Sequence, residues 1–373
     1  MRTLKSWIAA LLLATTPLVH AESGVTAERI LLGQTGAASG PLATLNSEYL
    51  SGAELYFDVI NRAGGVHGRK IELITLDDAY DPERAEQNTR SLIEDKQVFA
   101  LFGCFGTGPS LRTIPVATEA HVPFFAPYTG ADMLRAMKHE VFHMRASYGQ
   151  EIEKIVSHLV SAGITSIGVV HHADSFGTAG LDVARKALAG RGLTAVVEVP
   201  VKASAEDAEA AADKIAQANP AALIMVTAGK SSIGIMQGLR ARDARPMLYG
   251  LSVISANQLI KTLGENAHGL VIAQVVPSPF RFDHEVVQAY RKAAETAKVE
   301  MSYTALEGFM AAKVLTEGLT RASAELTRDK LIKALESLNG WDAGGVKIGF
   351  SPRDHVASKF VDLAIISRGK YLR

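Results

Sequence analysis

The stretch ALFGCFGTGPS, residues 100–110, decides how the chain is read. Ala100, Leu101 and Phe102 are apolar. Gly103, Gly106 and Gly108 then alternate with small residues up to Pro109. The pattern predicts a buried strand, a tight turn and the start of a helix. Such a turn aims backbone N–H groups at whatever lies above it, and an anion suits that position. A phosphate loop would need a lysine after its last glycine, and Thr107-Gly108-Pro109-Ser110 has none. Gly103, Gly106 and Gly108 also miss the G-x-G-x-x-G spacing of a dinucleotide site. A carboxylate remains, held by N–H groups and the Thr107 hydroxyl and helped by a helix dipole worth ~0.3–2 kcal/mol. A plain strand–helix turn capped by Thr107 fits the same spacing.

Outward from this turn the chain alternates strands and helices. Strands are predicted over 29–35, 70–77, 99–103, 122–127 and 141–145. Between them lie helices over 47–63, 81–95 and 109–120, and a short one over 131–137. Asp81-Pro82 supplies an N-cap and a first-turn proline, and Gly64-Gly65 a stop. The rhythm then restarts. Ile152, Ile155, Val156, Leu159 and Val160 mark one helix face. Strands follow over 167–171, 195–201, 221–227, 247–251 and 269–276. A helix over 178–189 ends at Gly190, and Ser204 and Ser231 read as N-caps. Helices over 303–321 and 328–338 precede strands over 346–350 and 360–366. Strands alternating with helices give an α/β fold with parallel sheets covered on both faces. So many units fit two similar lobes, with the chain crossing near Arg145, near Val276 and between Phe350 and Phe360. Ligands of such folds bind beyond the carboxyl ends of the strands.

The termini and composition narrow the setting. Arg2 and Lys5, an apolar run over 8–14, and Val19-His20-Ala21 form a cleavable secretory leader over 1–21. No later stretch has ~20 uncharged apolar residues, so a soluble chain outside the cytoplasm, starting near Glu22, is expected. Lysine plus arginine and aspartate plus glutamate both number 39. That balance favours neither nucleic acid nor an anionic membrane surface. Cys104 is the single cysteine. It excludes an internal disulfide and a cysteine-built metal cluster, and reads as a small buried hydrophobe.

Four patterns bear on catalysis. His139-Glu140-Val141-Phe142-His143 matches H-E-x-x-H, which needs a helix to bring both histidines to one zinc ion. The local β-type content predicts a strand, where the two histidines lie about 13 Å apart. No G-x-S-x-G elbow is present, since Gly250-Leu251-Ser252-Val253-Ile254 lacks the last glycine. Asp77-Asp78 reads as a pair of solvated loop acids, and His171-His172 as polarity at a surface or cleft edge.

Several segments together resemble the periplasmic solute-binding proteins of ABC importers, of the branched-chain amino-acid (Leu/Ile/Val-binding) type. They are Gly33-Gln34-Thr35 to Ser39-Gly40-Pro41, Ser51-Gly52-Ala53-Glu54, Ile60-Asn61, residues 63–70 and Asp77-Asp78 with Asp81-Pro82. The resemblance implies a type I periplasmic binding fold. Its two Rossmann-like lobes are joined by three crossovers and close on a small solute by hinge motion. Lobe one would comprise 24–145 and 277–358, and lobe two 146–276 and 359–373. It implies a monomeric, non-enzymatic protein of the periplasm without metal or cofactor, delivering a small carboxylate or amino acid to an inner-membrane permease. A ligand-sensing partner of a membrane receptor is the alternative, and a zinc hydrolase through His139, Glu140 and His143 a more distant one.

Carried over by position, the resemblance places Gly106 and Thr107 at the ligand carboxylate. Tyr128, Thr129 and Gly130 fall on the next loop, and Tyr148 and Phe176 on the second-lobe side. The acid that meets a ligand ammonium is replaced by Ser252, a nearby tyrosine by Gly229 with Lys230 beside it, and a first-loop aromatic by Leu45. A buried ammonium without a counter-charge costs several kcal/mol. The expected ligand is therefore acidic and partly apolar, aromatic or aliphatic, and need not be an α-amino acid. Asp174 is the candidate substitute counter-charge.

Overall fold

The computed structural model describes residues 22–368 and 370–372. The leader expected over 1–21 lies outside the described residues. β1 (Arg29–Gly36), α1 (Ala43–Arg62), β2 (Lys70–Asp77), α2 (Pro82–Glu94), β3 (Ala100–Phe102), α3 (Thr107–Glu119), β4 (Phe124–Phe125) and β5 (Val141–Phe142) build a parallel five-stranded sheet of order β2-β1-β3-β4-β5. Its middle is apolar on both faces. Leu32, Leu101, Phe102, Phe124, Phe125 and Phe142 are all fully buried, as strands between two helical layers must be.

α4 (Tyr148–Ser161) leads into the second unit. Ser147 caps it, its hydroxyl accepting from the Gln150 N–H while the Gln150 side chain accepts from the Ser147 N–H. Then come β6 (Ile167–His172), α5 (Ser175–Ala189), β7 (Val197–Val201), α6 (Ala208–Ala218), β8 (Ala222–Val226), α7 (Lys230–Ala241), β9 (Met247–Gly250), α8 (Ala256–Leu263) and β10 (Val271–Gln274). The chain returns to the first sheet's side through α9 (Glu285–Ala297), α10 (Tyr303–Arg321) and α11 (Arg328–Glu336). α10 lies against α1 so closely that a Cβ at Gly52 would fall 1.7 Å from the Ala305 carbonyl oxygen, and one at Gly308 1.9 Å from that of Tyr49. Only glycine permits that approach. A small hairpin, β11 (Trp341–Asp342) with β12 (Lys347–Ile348), precedes β13 (Asp362–Ser367) and β14 (Lys370–Leu372). These last two strands complete the second sheet, of order β14-β13-β10-β9-β8-β6-β7. The chain thus passes between the two α/β lobes three times.

The differences from the sequence reading have local causes. α1 starts at Ala43 rather than at residue 47, because Leu42 and Leu45 already point into the core. α3 starts at Thr107, with Pro109 inside its first turn, where no helical N–H bond is required. α5 starts at Ser175 because Asp174, not a later residue, accepts from the Gly177 N–H at 3.0 Å. The short helix expected over 131–137 is one 3₁₀ turn, Asp132–Leu134. The strand expected over 346–350 belongs to the small hairpin, and β13 pairs antiparallel with β10. Ser204 lies outside α6, and Ser231 sits within α7, whose N-cap is Gly229.

Candidate ligand-binding cleft

The carboxyl ends of the two sheets face each other across a small cavity of about 20 Å³. On the first-lobe side, β3 ends and Gly106 turns the chain at φ +98 into α3. A Cβ there would sit 2.4 Å from the Tyr80 ring. Thr107 is therefore the first residue of α3 rather than its cap, and no capping side chain takes the helix's first N–H groups. Its hydroxyl lies 2.7 Å from that of Thr129, which also accepts from the Ala131 N–H at 3.2 Å. Apart from the Thr107 hydroxyl, buried Tyr128 and partly buried Tyr80, the first-lobe wall is apolar. Leu42, Leu45 and Phe105 join Tyr80 and Tyr128, and the Phe105 and Tyr128 rings stack at 5.0 Å. Tyr148, Phe176, Ala228 and Val253 close the other side. None of the described residues on this wall carries a charged side chain.

Of the residues predicted for the site, Leu45, Gly106, Thr107, Tyr128, Tyr148 and Phe176 lie on the wall. Thr129 and Gly130 sit one layer behind it. Thr129 bonds Thr107, and the Gly130 carbonyl accepts from the Tyr148 N–H at 2.7 Å. Lys230 is exposed and off the wall, because α7 begins there and turns its first side chain outward. Asp174 is already engaged. It caps α5, pairs with His172 Nδ1 at 3.5 Å and accepts from the Tyr80 hydroxyl. Burial raises its carboxyl, but its bonds to His172 and to backbone N–H groups outweigh that and hold it below the usual range.

Ser252 does not reach the cavity either. It belongs to a buried cluster that sequence reasoning missed. Its N–H and hydroxyl donate to the two oxygens of Glu151 at 2.8 and 3.0 Å, and its hydroxyl also meets Arg145 Nη2. Arg145 lies 3.4 Å from Glu307 and 4.0 Å from Glu151. Its guanidinium stacks 4.6 Å from the centre of the Tyr128 ring. Burial alone would lower Arg145, but Glu307, Tyr128 and Glu151 hold it well above its ordinary value. Burial pushes Glu151 up to about 7 against the pull of Arg145 and Ser252, and it raises Glu307 as well. The cluster joins the first crossover to α4, α10 and the loop after β9. Three separated stretches contribute, residues 145–151, Ser252 and Glu307, so no local motif announces it.

Other side chains correct the sequence reading. Asp78 is fully buried rather than solvated. It accepts from the Thr35 hydroxyl and the Tyr80 N–H, both at 2.8 Å, and burial lifts it to about 6. Asp77 stays partly exposed and accepts from the N–H groups of Ala38, Ser39 and Ala79. His172 is also fully buried, its Nε2 2.6 Å from the Ser231 hydroxyl. Ser231 has no exposure, so this Ser-His-Asp array ties β6 to α7 and offers no path to a substrate. His139 and His143 flank β5 instead of sharing a helix face. His139 is exposed, while His143 is buried and pushed down to about 3 by burial. No group of three metal-ligating side chains occurs among the described residues. Cys104 is fully buried, and burial raises its thiol to about 12.

The sequence matches a known family model over nearly all the described residues. The model described as "Periplasmic binding protein" covers residues 30–370. The chain belongs to the periplasmic binding protein family. Within that family it is 25% identical over 349 residues to "Leu/Ile/Val-binding protein homolog 7" of Brucella abortus, covering 88% of this chain and 82% of that one. A substrate-binding periplasmic protein from Ralstonia solanacearum superposes with a TM-score of 0.86 at 30% identity, over 91% of this chain and 98% of that one. A possible leucine/isoleucine/valine-binding protein from Rhodopirellula baltica gives 0.87 at 29% identity, over 93% and 96%. The chain is thus a type I binding protein of the branched-chain amino-acid type that serves ABC transporters. This family works outside the cytoplasm and binds small molecules rather than transforming them. Among the described residues no helix is long and apolar enough to cross a membrane.

Proposed function

We propose that the cleft captures a small acid with an apolar body and presents it to an inner-membrane permease. The observation that carries this reading is the cavity wall. Aromatic and aliphatic side chains surround the Thr107 hydroxyl at the start of an uncapped helix, and no charged side chain lies among them. The Ala131 N–H donates to Thr129. The Thr129 proton can then point to Thr107, which frees the Thr107 proton for a ligand carboxylate. The helix dipole and first-turn N–H groups favour the same charge. The rings of Tyr80, Phe105, Tyr148 and Phe176 would cover the body of the solute. No carboxylate stands ready for an ammonium, since Asp174 and Glu151 are spent on other partners. The ligand is accordingly an aromatic or aliphatic acid rather than an α-amino acid.

In this reading lobe one comprises 24–145 and 277–358, and lobe two 146–276 and 359–373. The leader is cleaved near Ala21, and the mature protein is a periplasmic monomer. Titration calorimetry against benzoate, short oxo-acids, leucine and glutamate tests the ligand class. A matching acid at a hundredfold excess over its Kd adds ~2.7 kcal/mol of stability. Tight binding of leucine, with no binding of the acids that lack an ammonium, refutes it.

A further inference from the structure

A cavity of about 20 Å³ holds roughly one water. A solute can reach Thr107 only when the lobes part, so the contacts that hold them together bear on function. Several contacts span the cleft. The Tyr80 hydroxyl meets Asp174, and Gly229 lies against the Pro41 carbonyl. Asn257 Nδ2 donates to the Met301 carbonyl at 3.1 Å. The Ser255 hydroxyl, at the N-cap of α8, donates to Glu48 Oε1 on α1 at 2.5 Å.

Two of these contacts include a carboxyl, but Asp174 is held below its usual range, whereas burial raises Glu48. Glu48 lies beside a polar groove of about 630 Å³ between α1, α8 and residues 299–300. With α8 in place, Oε1 has the Ser255 hydroxyl, but the buried Oε2 has no hydrogen-bond partner. Around it stand the like-charged Glu300, the Ser302 and Thr304 hydroxyls before and within α10, and the Tyr290 hydroxyl from α9. Lys261 lines the same groove from α8. Moving α8 away removes Ser255 and opens this carboxyl to water.

We propose that Glu48 and Ser255 form a proton-linked latch, so that the lobes close more readily when Glu48 is protonated. An ionised carboxylate loses hydration when α8 covers it, whereas the neutral acid loses little. Burial lifts Glu48 to about 7, with Glu300 adding to the rise and the Ser255 hydroxyl opposing it. With α8 gone it gains water on that side while Glu300, Ser302 and Thr304 stay beside it, so its pKa falls toward the ordinary glutamate range. Closing therefore takes up a proton between those two values, and the closed form gains as pH falls from about 7. Asp78 and Glu151 are buried too, but they bond Thr35 and Tyr80 in one lobe and Ser252 in the other, so parting the lobes leaves those hydrogen bonds in place.

The latch can be read without any solute, which keeps its test separate from that of the ligand class. Spin labels at D58C and E265C, both exposed and one in each lobe, report the separation by pulsed EPR; buried Cys104 stays unlabelled. The closed-to-open ratio should rise on the order of tenfold between about pH 8 and about pH 5.5. E48Q should give one ratio at both pH values, and S255A a smaller closed fraction at both. Equal distance distributions at the two pH values, an undiminished shift in E48Q, or an unchanged closed fraction in S255A each overturns the proposal.

Discussion

The wall of the cleft and the cluster directly behind it are built on opposite principles. The wall is uncharged, and its one threonine, Thr107, is backed by the Thr129 hydroxyl behind it. One ring's thickness away, beyond Tyr128, Arg145 is sealed between Glu151, Glu307 and Ser252. The wall leaves its strongest polar donors for a guest, while the cluster consumes its own charges to fix where the first crossover meets both lobes. Polarity near a cleft is therefore a poor guide to the ligand. The groups that matter are those without an internal partner.

The largest expected effect lies in the cluster. R145M strands two buried glutamates and should cost ~3–5 kcal/mol in urea unfolding. R145M with E307Q should recover part of that loss; equal losses in both would show that the three groups do not act as a unit. Next comes the wall. T107V should weaken binding of the cognate acid by ~1.5–3 kcal/mol, the worth of a hydrogen bond to a charged group, with a smaller loss in unfolding from its bond to Thr129. An equal loss in unfolding would move Thr107 from the guest's side of the comparison to the scaffold's. G106A should then cost ~1–3 kcal/mol, because its Cβ meets the Tyr80 ring and its φ is positive.

The smallest effect comes from a group belonging to neither region. His143 is pushed down to about 3, below its unfolded value near 6.5. Its contribution to stability is complete above about pH 6.5 and is lost as pH falls toward 3. Between pH 6.5 and 5.5 the loss is on the order of 1 kcal/mol. Urea midpoints for the wild type and H143Q across that interval check this, with H143Q showing the flatter limb.

The same contrast explains what the sequence revealed. Residues 100–110 announced their strand, turn and helix because short-range rules govern all three. The alternation of elements then implied two sheets. Thr107, Tyr128, Tyr148 and Phe176 were expected through the resemblance, and all four lie on the cavity wall. Tyr80 and Phe105, also on the wall, were not singled out, because nothing in their own pattern set them apart. The cluster drew on Arg145, Glu151, Ser252 and Glu307, spread over 163 positions of chain (307 − 145 + 1), and only folding brings them together. Asp78 and His172 were misjudged for a related reason. A strand-end acid or histidine looks solvated until a partner from another segment, Thr35 or Ser231, is seen to cover it.

The central claim is that an uncharged wall grips a solute by its negative end. Calorimetry of one apolar acid beside its own primary amide tests this most directly, because shape is held constant while charge is removed. Binding of the acid with at least tenfold weaker binding of the amide, about 1.4 kcal/mol, is the predicted result. An amide that binds as tightly as its acid would contradict the account.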